Sequence, residues 1–186
     1  FSTLGWSTAG PAALGEAWCE RGPSSNPLWE PAPFLIEASA LMMANRPEGA
    51  IALDLACGSG RDGVFLSHRG WQVVGVDRLP DAIAQARLLA RATAGSARFR
   101  IDDLESAAAE RRWLRPARWD ALLCFRYLDR PRLPAMMNSV RPGGWFVLET
   151  FLEEQARARG KPSRPEYLLA PEELRRRFRD WEISLY

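Results

Sequence analysis

Histidine and lysine are almost absent from this chain: 186 residues contain one of each, His68 and Lys161. A single histidine argues against a histidine-based triad and against a zinc site, so no metal is expected. Cysteine is scarce as well. Cys19, Cys57 and Cys124 are an odd number without metal-ligand spacing, which fits a reduced, cytoplasmic compartment. No apolar run approaches the ~18 residues needed to cross a bilayer, and no signal-peptide pattern opens the sequence. Charge is nearly balanced, 25 Lys+Arg against 23 Asp+Glu, and a net +2 gives no reason to expect a nucleic-acid or membrane partner. The basic residues are nearly all arginine, a compositional bias, so "ERR" (110–112) and "RRRF" (175–178) read as solvated helix faces.

What remains is an ordinary globular composition, 47% hydrophobic and 26% charged, on a chain long enough for one well-buried domain. Residues 1–45 read as an irregular Pro- and Trp-rich segment followed by a helix over 34–44, and residues 46–186 as the main domain. From residue 50 apolar runs alternate with helical periodicity. Strands are expected at 50–56, 71–77, 97–102, 119–125, 144–151 and 181–186. Helices are expected at 61–70, 80–95, 131–140 and 171–178, the second opened by Pro80 and presenting Ile83, Ala86 and Ala90 on one face. "RPGG" reads as the stop of the third helix and the turn before the fifth strand. The alternation predicts an α/β fold with a doubly wound, mostly parallel sheet whose final edge strand is missing.

"LDLACGSGRDG" (53–63) carries the most specific signal. Gly58, Gly60 and Gly63 satisfy G-x-G-x-x-G, and Asp77 stands nineteen residues after Gly58 at a strand end, where a carboxylate accepts from both ribose hydroxyls. Asp54 narrows the choice of cofactor. A carboxylate beside this loop repels a pyrophosphate and favours a ligand carrying an ammonium and a sulfonium. "IDDLE" (101–105) then supplies an acid, Asp102 or Asp103, followed by an apolar residue, a pairing that suits the edge and face of an adenine ring.

Taken in order, "LDLACGSG", "VVGVD", "IDDLE", "WDALLCF" and "RPGGWFVLE" resemble a class I S-adenosylmethionine-dependent methyltransferase over about residues 50–151. "CGSGRDG", "DLE" and "RPGG" together are similar to the tellurite-resistance-type branch, whose acceptors are thiols or chalcogens. The resemblance implies S-adenosyl-L-methionine as cofactor, with Asp54 near its ammonium, Ala56, Gly58 and Gly60 shaping the loop, and Asp77 on the ribose. It implies Asp103 and Leu104 at the adenine, and Phe125 with Arg126 bordering the methionine moiety. Arg126 and Tyr127 follow the fourth strand, whose end adjoins the first in a doubly wound sheet, and are expected as the catalytic pair facing the methyl group. Ala56 departs from the glycine common there, and "RYLDRP" (126–131) departs from the branch.

The expected activity is methyl transfer to a small thiol or chalcogen acceptor. A soft anionic nucleophile needs little base assistance, and the sequence shows no obvious acid–base dyad. A monomer is expected, and the sequence leaves open whether a further domain precedes residue 1. Two rivals stand beside this reading: a non-catalytic adenosyl-binding domain of a larger protein, and an NAD-dependent oxidoreductase, which the literal glycine motif permits but Asp54 opposes.

Overall fold

The computed structural model describes residues 29–154 and 164–186, so Trp6, Trp18 and Cys19 lie outside the described residues. Pro31–Thr150 form one compact unit, and the described residues from Phe151 onward fall in a second. The first unit opens with α1 (Pro33–Ala44), which buries Leu35, Ala38, Ser39 and Met42, the i, i+3, i+4, i+7 stripe of a helix with one covered face. There follow β1 (Ile51–Leu55), α2 (Arg61–Ser67), β2 (Gln72–Asp77), α3 (Pro80–Ala92), β3 (Arg98–Ile101), α4 (Ala107–Trp113) and β4 (Trp119–Phe125). A 3₁₀ turn (Arg130–Arg132) leads into α5 (Leu133–Ser139) and β5 (Val140–Glu149).

The strands pair in the order β3-β2-β1-β4-β5, all parallel. This is the expected doubly wound α/β sheet. Its strands read as near-continuous apolar runs because both faces are covered; Ala52, Leu53, Leu55, Ala121, Leu122 and Leu123 are all essentially buried. The strand order reverses between β1 and β4, and in such sheets a crevice for ligands opens there, outside the carboxyl ends. Ile83, Ala86 and Ala90 of α3 face inward as their spacing predicts.

Two expectations are corrected. "WEISLY" (181–186) is not a strand. Trp181 instead packs its ring edge-on against Phe178, centroids 5.5 Å apart, and Tyr186 lies under the Arg175 guanidinium. Apolar alternation makes a strand only where a neighbour completes the hydrogen-bond ladder, and among the described residues this segment joins neither sheet. "RPGG" is not a turn ahead of β5 but an irregularity inside it. The register slips between the pairs Trp119–Val140 and Ala121–Trp145, and the strand ends at Glu149 instead of 151. Phe151 belongs to a separate two-residue strand, β6 (Phe151–Leu152), paired with β7 (Leu168–Leu169); a last short helix, α6, spans Glu173–Arg177. Among the described residues, no helix is long and apolar enough to cross a membrane.

The loop after β1 meets the rest of the sheet at Gly60, which precedes α2 at φ +76°. A Cβ there would sit 2.6 Å from the Phe99 ring and 2.7 Å from the Ala86 methyl. Gly60→Ala is therefore expected to destabilise the chain by about 2–4 kcal/mol, the left-handed backbone and overpacking costs combined. Urea unfolding followed by circular dichroism measures it; a loss below about 1 kcal/mol would show that Phe99 gives way without strain.

Candidate cofactor site

The site is built from backbone outward. Beyond Leu55 the chain turns through two left-handed residues, Ala56 at φ +53° and Gly58 at φ +53°, before Gly60. Ala56 tolerates this conformation at a cost that glycine would avoid. The Cys57 N–H donates to Val76 C=O at 3.1 Å, tying the loop to β2. Nothing lies within 4 Å of where a Cβ of Gly58 would stand, so a ligand can approach the backbone closely there.

Asp77 closes β2 and is nearly buried at 8% exposure. Its Oδ2 accepts the Gly58 N–H and its Oδ1 the Leu79 N–H, each at 2.9 Å. One carboxylate thus joins the glycine loop to the start of α3, and each oxygen keeps a further lone pair for a ligand hydroxyl.

The two adjacent acids after β3 are sharply different. The Oδ2 of Asp102 accepts from the Arg112 guanidinium at 2.5 Å and from the Trp113 indole N–H at 2.8 Å, which pins α4 to the strand end. Asp103 is exposed and only caps the turn, accepting the Glu105 N–H at 3.1 Å. Leu104 beside it is half-buried.

Across the switch point Phe125 ends β4 half-buried, and Arg126 turns through φ +58° so that its N–H donates to Glu149 C=O at 2.7 Å. The Arg126 guanidinium is exposed and, among the described residues, makes no hydrogen bond or ion pair. Tyr127 goes elsewhere. Its hydroxyl donates to Asp129 at 3.2 Å, and Asp129 also accepts from Arg132 at 2.8 Å. Arg132 reaches on to the Glu105 carbonyl and to Glu110, so this network joins the loops after β3 and β4. Burial and the Asp129 charge push the Tyr127 phenol up, keeping it protonated. Of the two residues, Tyr127 has its hydroxyl engaged by Asp129, and among the described residues Arg126 does not share that network.

Asp54 and two residues that sequence reasoning missed, Asp62 and Glu149, complete the picture. Asp54 is 2% exposed, and its Oδ2 has no hydrogen-bond partner. Burial, then the charges of Asp62 and Asp77, hold its carboxyl well above the usual aspartate range. Asp62, in the first turn of α2, accepts the Ala32 N–H at 2.6 Å; burial raises it, while that bond, Arg61 and Arg126 pull it back. Glu149, the last residue of β5, is likewise raised by burial and by Asp62, with Arg126 opposing. Glu149 carries the signal that marks Asp77, an acid at the carboxyl end of an apolar strand, whereas Asp62, in the first turn of α2, carries none. Burial, with Asp54 and Asp77 nearby, pushes the Cys57 thiol up; burial, with Asp54 and Asp129 nearby, does the same at Cys124, so both thiols are neutral. His68 is exposed at the end of α2, and among the described residues no cluster fit to hold a metal occurs.

A raised aspartate favours the fold while protonated. Its stabilising contribution is complete below the ordinary aspartate range and is lost as pH rises through its elevated folded value. Asp54→Asn is thus expected to raise the Tm of the ligand-free protein at mildly alkaline pH, with the gain shrinking on acidification. Thermal melts across a pH series read this directly; a gain that grows towards acid pH would contradict it.

Comparison with known proteins agrees with this geometry. The family profile described as "Methyltransferase domain" matches residues 52–144, half of the chain. The chain is similar to the Ubiquinone biosynthesis O-methyltransferase of Xanthomonas campestris pv. campestris (strain B100), 28% identical over 144 residues, covering 75% of this chain and 58% of that protein. It therefore spans little more than half the length of that curated relative. TehB from Haemophilus influenzae shares the fold, with TM-score 0.61, 20% identity, and coverage of 82% and 51%. A structure described for the conversion of a disulfide bond into a thioacetal group during echinomycin biosynthesis gives TM-score 0.57, 26% identity, and coverage of 80% and 67%. With the glycine loop, the strand-end acid and the five-stranded parallel sheet, the chain belongs to the class I S-adenosylmethionine-dependent methyltransferases.

Proposed function

We propose that the chain transfers the methyl group of S-adenosylmethionine to a hydroxyl oxygen of a small-molecule acceptor. The observation that carries this reading is the meeting of Arg126 and Glu149 at the ends of neighbouring strands, both side chains free of hydrogen bonds among the described residues. A hydroxyl, unlike a thiol, stays protonated at neutral pH and needs a nearby base. The thiol or chalcogen acceptor expected from the sequence rested on the resemblance to the tellurite-resistance-type branch and on the lack of such a group. Asp54, Asp62 and Glu149 outnumber Arg61 and Arg126 here, which disfavours an anionic acceptor. The O-methyltransferase name of the curated relatives supports oxygen.

The residues present fit the cofactor. The orphaned, buried Oδ2 of Asp54 and the open space at Gly58 suit a cationic ligand brought against the loop backbone. In this reading Ala56, Gly58 and Gly60 shape the loop, and Asp77 receives the ribose hydroxyls on its remaining lone pairs. Asp103 with Leu104 meets the adenine, because Asp102 is committed to Arg112 and Trp113; Phe125 borders the methionine moiety. The free thiols of Cys57 and Cys124 fit a cytoplasmic setting. A second reading keeps a sulfur acceptor and an affinity with the tellurite-resistance-type branch. The similarity to the protein described for disulfide-to-thioacetal conversion favours it.

Titration calorimetry tests the cofactor: S-adenosylmethionine and S-adenosylhomocysteine are expected to bind and NAD to give no heat. A result with these reversed removes the reading. Arg126→Ala is expected to leave cofactor affinity within about threefold and to lower kcat/KM at least ~10-fold, about 1.4 kcal/mol of transition-state stabilisation. Loss of cofactor binding with turnover otherwise intact would place Arg126 on the cofactor side.

A further inference from the structure

We propose that Glu149 is the general base of this reaction, taking the proton of the acceptor hydroxyl while Arg126 orients both the carboxylate and the acceptor oxygen. This rests on the hydroxyl reading above.

The argument begins with the backbone. Glu149 ends β5 in register with Phe125, the last residue of β4, and the Arg126 N–H donates to the Glu149 carbonyl at 2.7 Å. That bond holds Arg126 at φ +58°, a conformation costing a non-glycine residue about 1–2 kcal/mol. Strain kept at a strand end beside a ligand crevice is a mark of function, and glycine would have removed it. The bend leaves the Arg126 guanidinium close enough to Asp62 and Glu149 to bias the ionisation of both.

The other acidic or phenolic groups of this region are occupied or enclosed. Asp77 holds two backbone N–H groups, and Asp102 holds Arg112 and Trp113. One oxygen of Asp62 holds the Ala32 N–H, Asp54 is 2% exposed, and the Tyr127 hydroxyl is given to Asp129. Glu149 is the carboxylate left half-buried, reachable and without a hydrogen-bond partner among the described residues. Burial and the Asp62 charge raise its proton affinity, and Arg126 limits the rise. A carboxylate moved towards working pH in this way is a better proton acceptor.

The balance is simple. The cofactor supplies the methyl and leaves with the S–C electron pair as a neutral thioether, while the acceptor oxygen forms the new C–O bond and its proton passes to a carboxylate oxygen of Glu149.

The test uses the full chain and two readouts. In the first, glutamate side chains are labelled with carbon-13 and the Glu149 carboxyl signal is identified by its loss in Glu149→Gln. Glu149 is expected to titrate above the ordinary glutamate range, and higher still in Arg126→Ala. Titration at the ordinary value overturns the proposal whatever the acceptor. In the second, catechol and thiophenol serve as paired acceptors, the latter ionised at neutral pH without help. Glu149→Gln is expected to lower kcat for catechol about 100-fold and to abolish the acidic limb of its pH profile. KM for catechol, and turnover of thiophenol, should change by no more than about threefold. Equal loss on both acceptors, or no loss on either, overturns the base while leaving the hydroxyl reading in place. A wild-type chain that methylates thiophenol and never catechol overturns the hydroxyl reading itself.

Discussion

A single carboxylate sets the frame on which the cofactor site depends. Asp77 receives the N–H of Gly58 from one loop and of Leu79 from the next, so the ends of β1 and β2 share one anchor. Neither N–H bonds within a helix or strand, and the Asp77 carboxylate satisfies both with part-buried, charge-assisted hydrogen bonds. The glycine loop can then lie flat over Phe99 and Ala86, whose side chains fill the space that a Cβ at Gly60 would need. The residue type that the sequence marks for a ribose is therefore also the clasp that shapes its loop. These roles do not compete, because a carboxylate has more lone pairs than two N–H groups occupy.

The second organising feature is the charge at the switch point. Asp54 and Asp62 come from neighbouring β1 and α2, Glu149 from the distant β5, and each is raised by burial. Concentrated carboxylates in a poorly solvated place are costly unless something cationic answers them. Arg126 answers in part, from the strained residue after β4. A cofactor that carries its own positive charge answers the rest, which is the physical reason the family's ligand suits this crevice and a pyrophosphate does not. On the far side, Tyr127, Asp129, Arg132 and the Glu105 carbonyl bind the loops after β4 and β3 to one another.

Much of this was legible in the residues alone. Apolar runs covered on both faces, helical spacing at Ile83, Ala86 and Ala90, and glycines before a helix are local properties, and they determined the doubly wound sheet and its loop. Asp77 was legible for the same reason, since its place at a strand end follows from the strand itself. Three things were decided only by tertiary structure. "WEISLY" has the alternation of a strand but enters no sheet among the described residues, and pairing is a property of the sheet. Asp102 and Asp103 differ by one position, and only the arrival of Arg112 and Trp113 from α4 commits the first and leaves the second open. Glu149 lay unremarked inside the strand expected at 144–151, and only the folded sheet ends β5 there, beside β4 and the Arg126 N–H. Local pattern determines where elements run and which ends carry acids; proton affinity and reach depend on burial and on charges brought in from distant segments, and those exist only once the chain has folded.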